Sequence, residues 1–204
     1  MPLQNRVDPF GDLFADPARG LFMGNRGGRL HRGHALGRRR WASRQWICCR
    51  LAFNERHRQV WADSYTELFF LDEVTALAAG HRPCFECRRK DAEAFAECWR
   101  QARRSHARPR AADMDAVLHG ERLDGRAKRR HRVPLDELPD GACLADNGGA
   151  WAVRGRWLLP WTPAGYASRR PRPRGMTVDV LTPPAILAVL AAGYRPLWHP
   201  SGQT

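Results

Sequence analysis

The chain has 204 residues, with 34 Lys and Arg against 21 Asp and Glu, for a formal net charge of +13. An apolar share of 43% and eight Trp exclude a disordered chain, and no run approaches the roughly 18 apolar residues needed to span a bilayer. All but two of the cations, Lys90 and Lys128, are arginine, so a sequence pI near 10.8 predicts salt-sensitive attraction to polyanions through phosphate-matching guanidinium forks. The same Ala, Arg, Gly and Pro richness also fits GC-rich codon usage.

Residues 1–45 show little periodicity. Residues 21–23 predict a strand, followed by a Gly-rich turn at 24–28. Arg38, Arg39 and Arg40 stand beside Trp41, which suits backbone contact plus base stacking, although a solvated charge run has the same pattern. Three β-branched and aromatic segments, 45–53, 58–61 and 65–71, predict an antiparallel meander. A short helix follows, with Asp72 as N-cap and Gly80 as its stop. Residues 91–104 predict a second helix. Phe95, Cys98, Trp99 and Ala102 share its buried stripe, and Arg100, Arg103 and Arg104 lie on its outer face.

A short helix is expected at 113–119, then a cationic stretch containing Arg126, Lys128, Arg129, Arg130 and Arg132. Residues 142–145 and 150–154 flank Asp146-Asn147-Gly148-Gly149, a hairpin turn signal, and 156–161 supply a third strand. The Pro/Arg-rich stretch 169–174 reads as a mobile cationic loop. The chain closes with a strand at 176–181 and a helix capped by Thr182, with Pro183 in its first turn. The fold class is α+β, with small antiparallel sheets and short helices, divided into 1–108 and 109–204. Leu77-Ala78-Ala79-Gly80-His81-Arg82-Pro83 and Leu190-Ala191-Ala192-Gly193-Tyr194-Arg195-Pro196 differ at one position, which implies two similar strand–helix–turn units. Leu197 and Pro200 stand where the first copy has Cys84 and Cys87.

Cys84-Phe85-Glu86-Cys87 is a tight corner that can chelate one Zn²⁺, at about 2.3 Å per sulfur. Further ligands must come from elsewhere. Cys48 and Cys49 lie on the upstream strand, where neighbours point to opposite faces; both can ligate only if the strand bulges. His57, His34, His81 and His106 are candidates for a fourth position, and Cys98 reads as core. Six cysteines, with no apolar leader at the N-terminus, predict a reducing, cytoplasmic setting in which thiols are ligands or core residues. In this arrangement Arg82, Arg88, Arg89 and Arg103 contact phosphate, with Arg38, Arg39, Arg40, Arg129 and Arg130 extending the basic surface.

The run Ala78-Ala79-Gly80-His81-Arg82-Pro83-Cys84-Phe85-Glu86-Cys87-Arg88 resembles the metal-binding domain of the Ada DNA-repair protein family, over about residues 45–90. The resemblance implies a four-cysteine zinc site that touches DNA phosphates, with Cys84 and Cys87 as the second ligand pair. Family members space their upstream cysteines apart, whereas Cys48 and Cys49 are adjacent; in that family an upstream thiolate accepts a methyl group from a DNA phosphotriester, so the resemblance also implies alkyl transfer at Cys48 or Cys49 as an alternative. A second resemblance, of His131-Arg132-Val133-Pro134-Leu135 to the corner of HNH nucleases, implies metal-assisted hydrolysis of nucleic acid. Trp151, Trp157 and Trp161 offer a third expectation, a protein-binding face. The leading expectation is a zinc protein that binds DNA or RNA in repair or defence, with no membrane contact.

Overall fold

Two large sheets, two small two-stranded ones and four α-helices form the α+β architecture of the computed structural model, among the residues it describes, 2–54 and 59–203. Strands β1 (Arg6–Val7), β2 (Leu13–Phe14), β3 (Phe22–Asn25), β4 (His31–Arg32), β5 (Ala35–Leu36), β6 (Ile47–Arg50) and β7 (Leu68–Phe70) precede helix α1 (Glu73–Ala78). Next come β8 (Arg82–Pro83), α2 (Arg89–Ala102), α3 (Ala111–Arg122), and the short hairpin of β9 (Leu123–Asp124) and β10 (Ala127–Lys128). The last part holds β11 (His131–Pro134), β12 (Cys143–Asp146), β13 (Gly149–Arg154), β14 (Trp157–Thr162), β15 (Gly165–Tyr166), β16 (Arg170–Pro171), β17 (Thr177–Val180) and α4 (Pro184–Ala191). No helix among the described residues is long and apolar enough to cross a membrane.

The first sheet runs β2-β1-β7-β3-β6-β8 and is mixed, because β1 pairs with β7 and β6 with β8 in parallel. The expected meander is therefore corrected. Strands β6 and β7 do not pair; β3, from the aperiodic N-terminal stretch, inserts antiparallel between them. Gly24 permits that insertion, since a Cβ there would lie 2.0 Å from the Ile47 carbonyl oxygen. Of the segment expected at 58–61, Arg58 lies outside the described residues and the remainder is not a strand.

The second sheet, β11-β17-β12-β13-β14-β15 with β16 also on β14, is antiparallel throughout. Its β12–β13 hairpin turns through Asn147 (φ +48°) and Gly148 (φ +77°), the left-handed pair that the Asp-Asn-Gly-Gly signal demands. Within the stretch expected to be a mobile loop, Arg170–Pro171 instead form the paired strand β16. Arg170 ion-pairs with Asp146 and lies 4.0 Å over the Trp151 ring, and Arg172 donates to the carbonyls of Leu135 and Leu138. Arginine packing here replaces the apolar pattern that the sequence lacks.

Asp72 caps α1 through Oδ1, accepting from the Thr75 N–H at 2.9 Å, and Gly80 ends the turn at φ +88°. In α2 the buried stripe is Ala92, Phe95, Ala96 and Trp99; Cys98 is half-buried and Ala102 exposed, a rotation of the expected face. Thr182 does not cap α4. Its hydroxyl accepts from the Cys143 N–H at 2.8 Å, and Pro183 takes the cap position. The stretches on either side of residue 108 share cores: Leu77, Phe95 and Trp99 pack with Met114, Leu118, Ile186 and Val189, and Leu71 and Val74 pack with Cys143 and Leu159.

The two strand–helix–turn units are β7–α1 and β17–α4. Each ends on a left-handed glycine, Gly80 or Gly193 (φ +107°). Beyond Gly193 the chain folds onto the start of α1. The Tyr194 hydroxyl donates to Glu73 Oε1 at 2.7 Å, the Leu197 N–H to Glu73 Oε2 at 2.9 Å, and the His199 N–H to Asp72 Oδ2 at 3.0 Å. The second copy thus uses its turn to bind the N-terminus of α1, whereas the corresponding turn of the first copy, just before α2, carries Cys84 and Cys87.

Candidate metal centre

Strands β6 and β8 pair in parallel, with Ile47 opposite Arg82 and Cys48 opposite Pro83. The Cys84 N–H continues that ladder by donating to the Cys48 carbonyl at 3.0 Å. The corner then closes through the Arg88 N–H, which donates to the Cys84 carbonyl at 3.0 Å. This register brings the sulfurs of Cys49, Cys84 and Cys87 within 4.8 Å of one another, all three buried.

Three thiolates on a tetrahedral zinc would sit about 3.8 Å apart, so a small contraction completes the site. Two backbone donors already point at the sulfurs: Arg50 N–H to Cys87 Sγ and Glu86 N–H to Cys84 Sγ, each at 3.4 Å. Such donors stabilise thiolate charge and do not compete with a metal. Without an ion the three groups share protons. Cys49 and Cys87 donate to Cys84, whose thiol is pushed well down by those bonds, and Cys49 is pushed far up as the donor. Cys87 also ends raised: its bond with Cys49 lowers it, but its bond with Cys84 and burial outweigh that. An all-thiolate set selects soft or borderline ions, zinc first among the redox-silent ones.

Cys48 is excluded from this cluster, which corrects the expectation that both adjacent cysteines ligate. Strand β6 does not bulge there, so alternation sends Cys48 to the opposite face, among Val7, Phe22, Leu68 and Phe70. Burial pushes its thiol up, and its sulfur accepts from Arg88 Nη1 at 3.4 Å. Among the histidines proposed as ligands, His34 and His106 are exposed, and His81 is buried between Trp46 and Phe70 at 5.0 and 4.7 Å. His57 lies outside the described residues.

Two arginines assigned to phosphate are internal struts instead. Arg82 is buried and makes a bidentate bond with Asp115, at 2.9 and 2.8 Å, which ties the metal corner to α3. Arg88 is buried over the Phe22 ring and ion-pairs with Glu73 and Asp91, each at 2.9 Å. Both neutralise carboxylates that the sequence scatters across helices, so neither can reach a ligand in solvent.

The remaining basic residues are at the surface. Arg38, Arg39, Arg89, Arg103, Arg129 and Arg130 are exposed, Arg40 is half-buried against Asp12, and Arg89 pairs with Glu93. Arg38, Arg39, Arg40, Trp41 and Arg126 line one cleft of about 290 Å³, bringing together two cationic stretches far apart in sequence. Arg103 covers Trp99, Arg129 lies 3.7 Å from Asp124, and Arg130 lies 3.8 Å from Asp179, so these three do not join that cleft's lining.

The HNH-like corner lies in β11, paired to β17, and the His131 ring nitrogen Nε2 bonds the Glu121 carbonyl at 2.9 Å. No cluster of metal-ligating groups forms around it among the described residues. The three hairpin tryptophans do not form an open face: Arg170 lies over Trp151, Arg156 and Arg169 lie over Trp157, and the Trp161 Nε1–H donates to the Thr75 hydroxyl at 3.0 Å. No family model, curated protein or solved structure matches this chain.

Proposed function

We propose that the protein is a zinc-stabilised, nucleic-acid-binding protein of the cytoplasm, with an Ada-like metal corner. The observation that carries the reading is the convergence of Cys49, Cys84 and Cys87, from two separate segments, on one point. Zinc there would be held by those three thiolates and would supply a rigid pin between β6 and the start of α2. One tetrahedral position remains for a further ligand.

The six unpaired cysteines agree with a reducing compartment. The exposed arginines supply the sequence-independent, phosphate-directed attraction expected of a DNA or RNA binder. The Ada resemblance supports DNA as the polymer and repair as the setting. Methyl transfer is not part of the reading. Cys48 is fully buried away from the cluster, and Cys49, a ligand in this reading, is only 6% exposed, so neither thiol is open to a DNA phosphotriester.

Two measurements test this. Purified protein is expected to hold one zinc per chain and to release it to a thiol-modifying reagent. Binding to a short duplex and to a single strand should weaken linearly with the logarithm of salt, with little dependence on sequence. Metal-free protein that keeps its full thermal stability would remove the zinc assignment, and absence of binding to either polymer at low salt would remove the nucleic-acid assignment.

A further inference from the structure

Behind the arginine cleft lies a group of cations that no carboxylate neutralises. Arg26 and Arg122 are buried, and their guanidinium carbons lie 4.0 and 4.1 Å from the centre of the Trp46 ring. Arg26 donates to the Gly11 carbonyl at 2.7 Å and the Arg40 carbonyl at 3.4 Å. Arg122 donates to those of Gly80 and Arg44 at 2.8 and 2.6 Å, and Lys128 donates to that of Ala78. Carbonyl oxygens satisfy N–H groups but leave the net charge in place. Among the described residues, none of the three makes an ion pair.

Buried, uncompensated charge is costly, and natural sequences keep it where it serves a ligand. Burial, with Arg26 and Arg122 adding to it, pushes Lys128 down to about 7. The nearest acidic side chains give little relief. Asp12 is engaged by Arg40, burial raises Asp8 to about 6, and Asp115, the carboxylate whose charge favours the Arg122 cation, is held bidentately by Arg82. Arg122 Nε and His81 Nδ1 are buried without a hydrogen-bond partner among the described residues. The wall of the cleft rests on this group through Arg26, which holds the carbonyl of Arg40, and Arg122 holds the carbonyl of Arg44 three residues beyond Trp41. On the outer side Arg126 donates to the Arg38 carbonyl at 2.9 Å and closes the cleft.

We infer that the cleft lined by Arg38, Arg39, Trp41 and Arg126 is a phosphate-binding site, its field reinforced by the buried guanidinium groups of Arg26 and Arg122 and by the half-buried Lys128. The exposed forks bond phosphate oxygens, and Trp41, braced by Trp46 at 6.4 Å and His119 at 5.5 Å, offers a stacking edge for an attached base. The buried charges, unscreened by salt, deepen the potential at the cleft floor without touching the ligand. For the larger ligand, a nucleic-acid backbone, the inference rests on the function proposed above; for a free phosphate it does not.

The test is calorimetric titration of the metal-loaded full chain with inorganic phosphate, pyrophosphate and a short single-stranded oligonucleotide. Pyrophosphate or the oligonucleotide is expected to bind. Arg126→Ala and Arg39→Ala should each weaken binding about tenfold, and Arg195→Ala, an exposed arginine on the turn after α4, should not. Lys128→Met is the decisive variant at pH 6, where the Lys128 ammonium is protonated: it should weaken anion binding at least threefold while holding or raising the melting temperature, which loss of a merely structural group would not do. Binding of pyrophosphate alone would assign a free anion and overturn the nucleic-acid reading while leaving the cleft intact. Tighter binding of the oligonucleotide would assign the polymer backbone. Absence of binding by all three probes, or equal affinity in the Arg126→Ala and Arg195→Ala variants, overturns the site.

Discussion

Cys48 and Cys49 are neighbours in sequence with opposite assignments, and one pair of variants separates them. Cys49→Ser removes one of three thiolates from the centre. Outer-shell changes alone cost 10–100-fold in metal affinity, so losing a ligand should cost more than about 100-fold. At a zinc concentration about 100-fold above the original Kd, linkage turns that loss into roughly 2–3 kcal/mol of stability. For a chain of this size, a fall of about 5–10 °C in melting temperature follows. Cys48→Ala leaves the cluster whole. It deletes a fully buried sulfur among Val7, Phe22 and Leu68 and a weak acceptor for Arg88, a cost of about 1–2 kcal/mol. The assay is zinc content per chain together with thermal melts, with and without chelator. Cys49→Ser should be zinc-depleted and indifferent to chelator, and Cys48→Ala should be zinc-replete and chelator-sensitive. The reverse pattern, with Cys48→Ala losing zinc and Cys49→Ser retaining it, refutes the register argument that sets the site.

Asp115→Ala strands a buried guanidinium beside the metal corner and should destabilise by about 3–5 kcal/mol in urea unfolding, whereas the double variant Arg82→Met/Asp115→Leu should recover most of that loss. Gly80→Ala should cost distinctly more than Gly193→Ala in the same assay. Both pay for a left-handed φ, about 1–2 kcal/mol, but only at Gly80 would the new Cβ meet the Arg122 side chain at 2.8 Å. Lys128 sets a pH dependence. Its folded pKa of about 7 lies below the ordinary lysine value of 10.5, so the unfolded chain binds more protons between those values and stability rises with pH across that window. In anion-free buffer, thermal melts from pH 7 to 9 should show this rise in the parent and a shallower one in Lys128→Met.

The residues responsible for the metal corner are nearly all local. An Asp cap, an Ala-rich turn, a glycine that tolerates φ +88° and two cysteines around a tight bend specify β7, α1 and the Cys84–Cys87 turn from short-range chemistry alone. The Asn-Gly signal fixes the β12–β13 hairpin in the same way. The arginines were legible as charge but not as places. Nothing near Arg82 or Arg88 in the sequence distinguishes them from Arg89; what does is whether a helix from elsewhere, carrying Asp115 or Glu73, docks against them.

The sequence by itself determined the α+β class, the knuckle and the excess of positive charge, because each is written in residue type and short spacing. Only the tertiary structure decided which of two adjacent cysteines faces the cluster, since that depends on how β6 registers between β3 and β8. It also decided that Arg38 and Arg126 meet across one cleft, and that Arg26 and Arg122 are buried with no ion pair among the described residues. The reason is physical. Alternation along a strand and the burial of a charge are set by contacts between segments distant in the chain, and no local propensity encodes which segments those are.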